Sequence, residues 1–485
     1  FYRISYSYKG KYLFETSGRY DGNSKFPSNQ RWGFFPSGSA GWRISEESFL
    51  RNAEWLDNLK LRVSVGSAGN GLISDTYAYL STMSISQSSL LNNGSVFNYT
   101  AAPSPIPDGL TWETATTYDL GVDFEAFNGR LNFSADIYRK KTTDMYVVGE
   151  ELPAVYGNSA PKGNYADMHT DGWEASISWR DNFKLGGKDF SYNLKFAIWD
   201  NVTKVTKYMA TTNTLPTNYA TNYYEGMTLG ELWGYTCNGL FQSNEEAQTY
   251  ADYSKFAQNK IAWQKGDPKY EDLNGDGRID NGSNRLEDHG DLSIIGNINP
   301  HYMFGVNLAA NWNGIGLSVF LQGVGARDWY PGSDAGMFWG KYGRPFFALI
   351  PSIHNYTDDM YSAERNNWDT AYWPRMTTYQ SNGTKNWTRL LEIPNTRYIQ
   401  SAAYLRVKNI QLDYSFPKHI CSAIRLQGLK IYVNAENLFT FTPLHKYAPN
   451  FDPEGLSYDS DFASAADGYT YPILKSVTVG VNITF

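Results

Sequence analysis

The densest run of chemistry-bearing side chains is Asp272-Leu-Asn274-Gly-Asp276-Gly-Arg278-Ile-Asp280. Oxygen-bearing side chains at alternate positions, with glycine where the chain turns sharply, have the spacing of a calcium loop. Asp272, Asn274, Asp276, Asp280 and the carbonyl of Arg278 would supply several of the roughly six to eight oxygens that calcium takes. Position twelve, where an EF-hand places a bidentate glutamate, is Ser283, and helical flanks are absent. Glu287 or Asp288 would have to substitute. The same residues also build a plain turn, because Asn, Asp and Gly accept left-handed backbone geometry. The expectation is no catalytic cofactor, with a structural calcium as the one metal the motif suggests, bracing an external loop.

Two other sets of residues invite a chemical reading. Asp119, Asp123, Glu125, Asp136, Glu174 and Arg180 share one face of their strands, and paired carboxylates are the machinery of glycoside hydrolysis. Every second residue is polar throughout those strands, so such pairs arise by default and no catalysis is expected. The six histidines, among them His169, His289, His301 and His445, form no HxxxH or HExxH spacing. Neither a GxSxG elbow nor a phosphate-binding loop occurs. The second set is aromatic: Trp329, Tyr330, Phe338, Trp339, Tyr342, Phe346 and Phe347, followed by Trp368, Tyr372 and Trp373, with Pro374 fixing a turn. Sugars present apolar CH faces that suit aromatic platforms, and Tyr and Trp also anchor protein interfaces. Trp329, Tyr330, Trp339, Tyr342, Trp368 and Trp373 are the candidate contact residues. The plainer account is that they pack a loop onto itself.

What positions these residues is a repeated two-faced strand. In the last eleven residues Val477, Val479, Val481, Ile483 and Phe485 alternate with Ser476, Thr478, Gly480, Asn482 and Thr484. Successive side chains of a strand point to opposite faces, so one face here is apolar and the other polar. The pattern recurs along the chain. Tyr2, Ile4, Tyr6 and Tyr8 turn at Lys9-Gly10 into Tyr12 and Phe14, and a third strand covers about Trp32 to Ile44. Leu59, Leu61, Val63 and Val65 follow. Tyr118 to Phe124 returns through Asn128-Gly129 as Leu131 to Ile137, and Asn-Gly is the strongest short hairpin signal. Later pairs turn near Gly186-Gly187 and Asn313-Gly314. In the strand ending at Pro417, Leu405 and Val407 are out of phase with Ile410 and Leu412, which places a bulge near Lys408-Asn409.

This gives about thirteen strands of the length that crosses a bilayer. Short turns lie on one side, and long loops at 66–112, 141–170, 202–299, 328–400 and 442–473 lie on the other. That is an all-β transmembrane antiparallel barrel, with turns toward the periplasm and loops outside. The bulk numbers agree. Charged residues are 19% and aromatics 16%, with 37 Tyr and 15 Trp, the residues that favour membrane–water interfaces. The mean hydropathy of -0.49 reads as soluble only because alternate strand residues are polar. No apolar run approaches the ~18 residues of a spanning helix. A net charge of -7 argues against nucleic acid. Cys237 and Cys421 fall at opposite ends of such a barrel, so no bond between them is expected. The first and last strands both run inward and cannot pair. With no leader peptide before Phe1, this suggests the C-terminal part of a larger barrel.

Several stretches resemble the SusC-like TonB-dependent transporters of Bacteroidetes outer membranes: Asp21 to Ser24, Trp32 to Glu46 (WGFFPSGSAGWRISE), Leu110 to Phe124 (LTWETATTYDLGVDF) and Asp272 to Asp280 (DLNGDGRID). Gly296 to Gly305, Tyr404 to Pro417 (YLRVKNIQLDYSFP) and Tyr432 to Thr442 (YVNAENLFTFT) continue the match in the family's order. Phe485, a terminal aromatic, resembles the assembly signal of bacterial outer-membrane barrels. The resemblance implies a barrel of about 22 strands with an N-terminal plug. It also implies a SusD-like surface lipoprotein as lid, energy from TonB-ExbB-ExbD, and import of oligosaccharides or, less often, peptides. The plug, the TonB box and the first strands would lie outside these residues. The rival readings are a passive porin-like channel and an outer-membrane enzyme or adhesin.

Overall fold

The computed structural model of the chain describes all residues except 74–76, 101–102, 104, 108, 210–213, 217–221, 254–262, 333–334, 340–341, 343–358, 377–390, 392–393, 457–470 and 472. The strands of the first half are β1 (Tyr2–Tyr8), β2 (Tyr12–Gly22), β3 (Trp32–Arg43), β4 (Leu56–Asn70), β5 (Ile85–Asn92), β6 (Ser95–Thr100), β7 (Glu113–Ala126), β8 (Leu131–Val148), β9 (Lys162–Leu185) and β10 (Lys188–Tyr208). There follow β11 (Glu231–Tyr235), β12 (Cys237–Leu240), β13 (Pro268–Tyr270), β14 (Leu292–Asn297), β15 (His301–Trp312), β16 (Ile315–Ala326) and β17 (Asp328–Trp329). The last are β18 (Gln400–Ser401), β19 (Tyr404–Ser415), β20 (Gly428–Phe441) and β21 (Ser476–Thr484). Thirteen of them form one antiparallel sheet in the order β1-β2-β3-β4-β7-β8-β9-β10-β15-β16-β19-β20-β21. Sequence neighbours are sheet neighbours throughout, as in an up-and-down wall. The remaining strands pair two by two within loops.

The chain divides into two compact units. The first is Phe1–Ile177, Asn201–Asn213 and Tyr223–Leu229; the second is Ser178–Asp200, Thr214–Asn222 and Gly230–Phe485. In the first, cross-strand pairs on one face are Tyr6 with Phe14, Tyr12 with Trp42, Trp42 with Leu61, Val63 with Leu120, and Leu120 with Ile137. Ile4, Phe14, Val63, Leu120 and Ile137 are each more than half exposed. A contiguous apolar face of this kind is unfavourable in water and favourable against lipid. The second unit repeats the arrangement: Leu317 faces Leu412, Leu412 faces Val433, and Val433 faces Val479.

Local chemistry sets the turns. Lys9-Gly10, Asn128-Gly129, Gly186-Gly187 and Asn313-Gly314 all have positive φ, the geometry that tight hairpins between right-twisted strands require. The bulge expected at Lys408 is present: Val407 pairs with Phe439 and Leu321, Asn409 pairs with Glu436 and Phe320, and Lys408 has no partner in either ladder. No disulfide joins Cys237 and Cys421.

Three expectations change. The strands outlast their apolar runs, since β4 continues to Asn70, β8 to Val148, β9 begins at Lys162 and β10 ends at Tyr208. With 24 residues, β9 is far longer than the ~10 a bilayer needs, so part of it stands clear of the membrane. The loop after β4 carries its own hairpin, β5 with β6, turning at Asn93-Gly94. After Pro417, Lys418–Ala423 forms one short helix that buries Cys421.

Candidate functional site

The functional surfaces of such a wall are its inner face and the loops at its outer rim. On the inner face of the first unit, Arg62 from β4 forks onto Asp123 of β7, with Nε and Nη2 donating at 2.8 and 3.0 Å. Nη2 also reaches Asp136 of β8 at 3.1 Å, and Ser134 donates to Asp123. Gly121 lies beneath. A Cβ there would sit 2.1 Å from Asp136 Oδ1 and 2.8 Å from Arg62 Cζ, so glycine is what lets the guanidinium cross β7 to reach β8. Asp123 and Asp136 therefore share one cation, Arg62, in a structural ion-pair cluster. Glu125, Glu174 and Arg180 are exposed.

In the second unit the loops enclose an aromatic core. Trp329, Tyr330, Trp339, Tyr342 and Trp373 are each at most 1% exposed. Trp373 is sandwiched between Tyr342, stacked at 5.3 Å, and Tyr398, stacked at 5.5 Å. Trp339 meets Trp373 edge-on at 6.2 Å. Three polar atoms are bonded at the edges: Tyr342 Oη donates to Pro374 O, Tyr330 Oη to Leu391 O, and Trp339 Nε1 to Gly332 O. Each of these rings is buried against neighbouring side chains. Of the six candidate contact residues, these five are the packing that holds the loops. Trp368 is only half-buried and rests on the cluster of Leu240, Tyr361 and Ala371. Phe346 and Phe347 lie outside the described residues.

Charged groups stitch the same loops. Arg375 donates two parallel bonds, 2.8 and 2.9 Å, to Asp267, whose side chain is fully enclosed. Arg397 donates to the carbonyls of Tyr372 and Ala371. These partners stand 108 and about 25 positions apart, so no spacing rule would have paired them.

The Asp272 loop is organised by its own amides. Asp272 accepts from the amides of Gly275 and Gly277, Asn274 from that of Asp276, Asp276 from that of Arg278, and Asp280 from that of Gly282. Its closing residue is one the sequence reading passed over. Asp291, 1% exposed, accepts from the amides of Leu273 and Asp280, both at 2.8 Å, and so pins the two ends of the loop together. Burial lifts the Asp291 carboxyl above its ordinary range, with the amide bonds pulling the other way. Among the described residues no three His, Cys, Asp or Glu side chains gather as a metal site.

In the first unit, Glu47 follows the one-turn helix Ile44–Glu46. It accepts from Tyr12 Oη at 2.7 Å, Lys11 Nζ at 3.0 Å and Trp42 Nε1 at 3.2 Å. Tyr12 and Trp42 are exposed, each an aromatic whose polar atom is held by this carboxylate.

An antiparallel wall with an apolar outer face, a charged inner face and loops braced from within defines an outer-membrane β-barrel. A model of the family described as TonB dependent receptor-like, beta-barrel matches residues 1–267, more than half of the chain, and the chain belongs to that family. It is 28% identical to TonB-dependent receptor P3 of Formosa agariphila, over all of this chain and 45% of that protein. It is 26% identical to TonB-dependent receptor SusC of Bacteroides thetaiotaomicron, over all of this chain and 43% of the relative. Among solved structures, the RagAB peptide transporter superposes with a TM-score of 0.70 at 20% identity, covering the whole chain and 47% of its counterpart. The chain spans about half the length of the curated relatives it matches. It is an outer-membrane protein of that family.

Proposed function

We propose that this chain forms the C-terminal part of the barrel of an active importer that takes up oligosaccharides. A SusD-like surface lipoprotein would act as the lid, and TonB-ExbB-ExbD would drive uptake through a plug and TonB box elsewhere in the protein. The observation that carries this is the pairing of a lipid-facing wall with a polar inner face that holds ion pairs such as Arg62 with Asp123 and Asp136, in a chain similar over its whole length to SusC. Transport here is displacement and passage; no bond in the cargo is made or broken.

Import of peptides is the second reading, favoured by the fold shared with the RagAB peptide transporter. The test is affinity purification of the tagged transporter from its own membrane, followed by uptake measurements with and without TonB. Copurification of a lipoprotein and TonB-dependent uptake of an oligosaccharide support the proposal. TonB-dependent uptake of peptides alone moves it to the second reading, and uptake indifferent to TonB makes the barrel a passive channel.

For the Asp272–Asp280 loop we propose a bracing role at the outer rim, with calcium as an added brace on the strength of the sequence motif. Titration calorimetry decides that part: saturable heat that Asp276→Ala abolishes supports the ion, and its absence leaves Asp291 as the brace.

A further inference from the structure

The segment after β20 is held to the wall by more charge than a loop requires. Arg406 of β19 is 2% exposed, and its guanidinium donates to Asp452 at 2.6 Å, Glu454 at 2.5 Å and Thr440 at 2.9 Å. Lys408, the bulged residue, donates to both carboxylate oxygens of Glu454, at 2.8 and 2.9 Å. Arg327 grips the backbone of the same stretch at the carbonyls of Pro453 and Leu456, and Phe451 packs on Trp329 at 4.8 Å.

Arg406 and Lys408 lie on the inner face. Leu405 and Val407 flank Arg406 and pair with Phe441 and Phe439, which are 61% and 55% exposed on the apolar side. Alternation therefore turns Arg406 the other way, toward the passage. The stretch Asp452-Pro-Glu454 thus occupies a cationic site on the passage wall as a ligand would, with two carboxylates two residues apart.

Moving this stretch aside strips Arg406 and Lys408 of their partners, and a charge pair separated from one side is costly unless another anion replaces it. Movement of the loop is for that reason linked to anion binding, since a ligand shifts an equilibrium toward the state it binds better. We propose that Asp452 and Glu454 are a built-in occupant of a carboxylate-binding site formed by Arg406 and Lys408, and that a cargo carrying closely spaced carboxylates displaces them. The inference rests on the import reading only for how such cargo reaches the wall. Its chemistry is that of a uronic-acid oligomer or of an acidic peptide.

Hydrogen exchange of the peptide spanning residues 447–456, measured on the intact transporter in detergent, tests this. Oligogalacturonate or oligoglutamate is expected to speed exchange about tenfold, while a neutral malto-oligomer and oligoalanine leave it unchanged. Whichever acidic backbone acts names the source. The double variant Asp452→Asn with Glu454→Gln is expected to exchange fast without ligand, and Arg406→Gln with Lys408→Gln to lose the response. Should a variant fail to insert, the wild-type arms decide alone. Exchange indifferent to both acidic oligomers, or raised equally by neutral ones, overturns the proposal. That outcome leaves the import reading intact, because uptake in cells is a separate measurement.

Discussion

Val479 and Trp373 belong to the same unit and are both large apolar side chains. Val479 is 73% exposed on the outside of β21, and Trp373 is completely enclosed between Tyr342 and Tyr398. One surface is stabilised by a solvent that the chain does not supply, and the other by side chains brought together from distant positions. The wall is periodic because lipid is uniform along it. The loop core is aperiodic because each ring answers to a particular neighbour. Stability should follow the same division, with the wall responding to charge and the loops to lost volume.

The sharpest break in that contrast is Trp373→Ala. Emptying a site enclosed by aromatic rings should cost about 3–5 kcal/mol, and the damage should stay in the loops. Limited proteolysis is expected to cut the external segments readily while the wall keeps its resistance to detergent unfolding. A comparable loss of wall stability would mean that the two regions are not independent. Val479→Arg is the mirror experiment. A charge facing the bilayer should cost about 2–4 kcal/mol, while Thr478→Arg, on the opposite face of the same strand, should cost little. Unfolding titrations in lipid vesicles would compare the pair.

Two smaller effects refine the picture. Gly121→Ala should push the Arg62 guanidinium away from Asp136, an overpacking loss of about 1–3 kcal/mol that mutation of both charged partners beforehand removes. Glu47 probes the first unit by pH. Hydrogen bonds from Tyr12, Lys11 and Trp42 lower its pKa from an ordinary 4.5 to about 2. A carboxyl depressed on folding stabilises fully above its unfolded value, and that contribution disappears as pH falls through the folded value. Acid titration of unfolding should therefore show a component between pH 4.5 and about 2 that Glu47→Gln removes.

The wall was legible in the sequence down to fine detail. Alternation set the facing, Asn-Gly and Gly-Gly pairs set the hairpins, and the phase change between Val407 and Ile410 located the bulge at Lys408. The β5–β6 hairpin was missed although Asn93-Gly94 marks it, because Ser-rich flanks conceal the alternation. Aromatic richness at Trp329 to Trp373 was visible, but burial was not, since Trp373 packs against Tyr398 and Tyr330 bonds to Asn395. Asp291 and Arg406 were illegible for the same reason. Their partners lie 11 to 18 and 34 to 48 positions away, and no local spacing encodes such meetings.

Nitroxide labels placed singly at residues 478 and 479 of the membrane-embedded protein test the account most directly. Collision with dissolved oxygen, which concentrates in hydrocarbon, should dominate at 479, and collision with a water-soluble nickel chelate at 478. The reverse order, or equal access of the chelate to both labels, would contradict a wall with lipid on one side and an aqueous passage on the other.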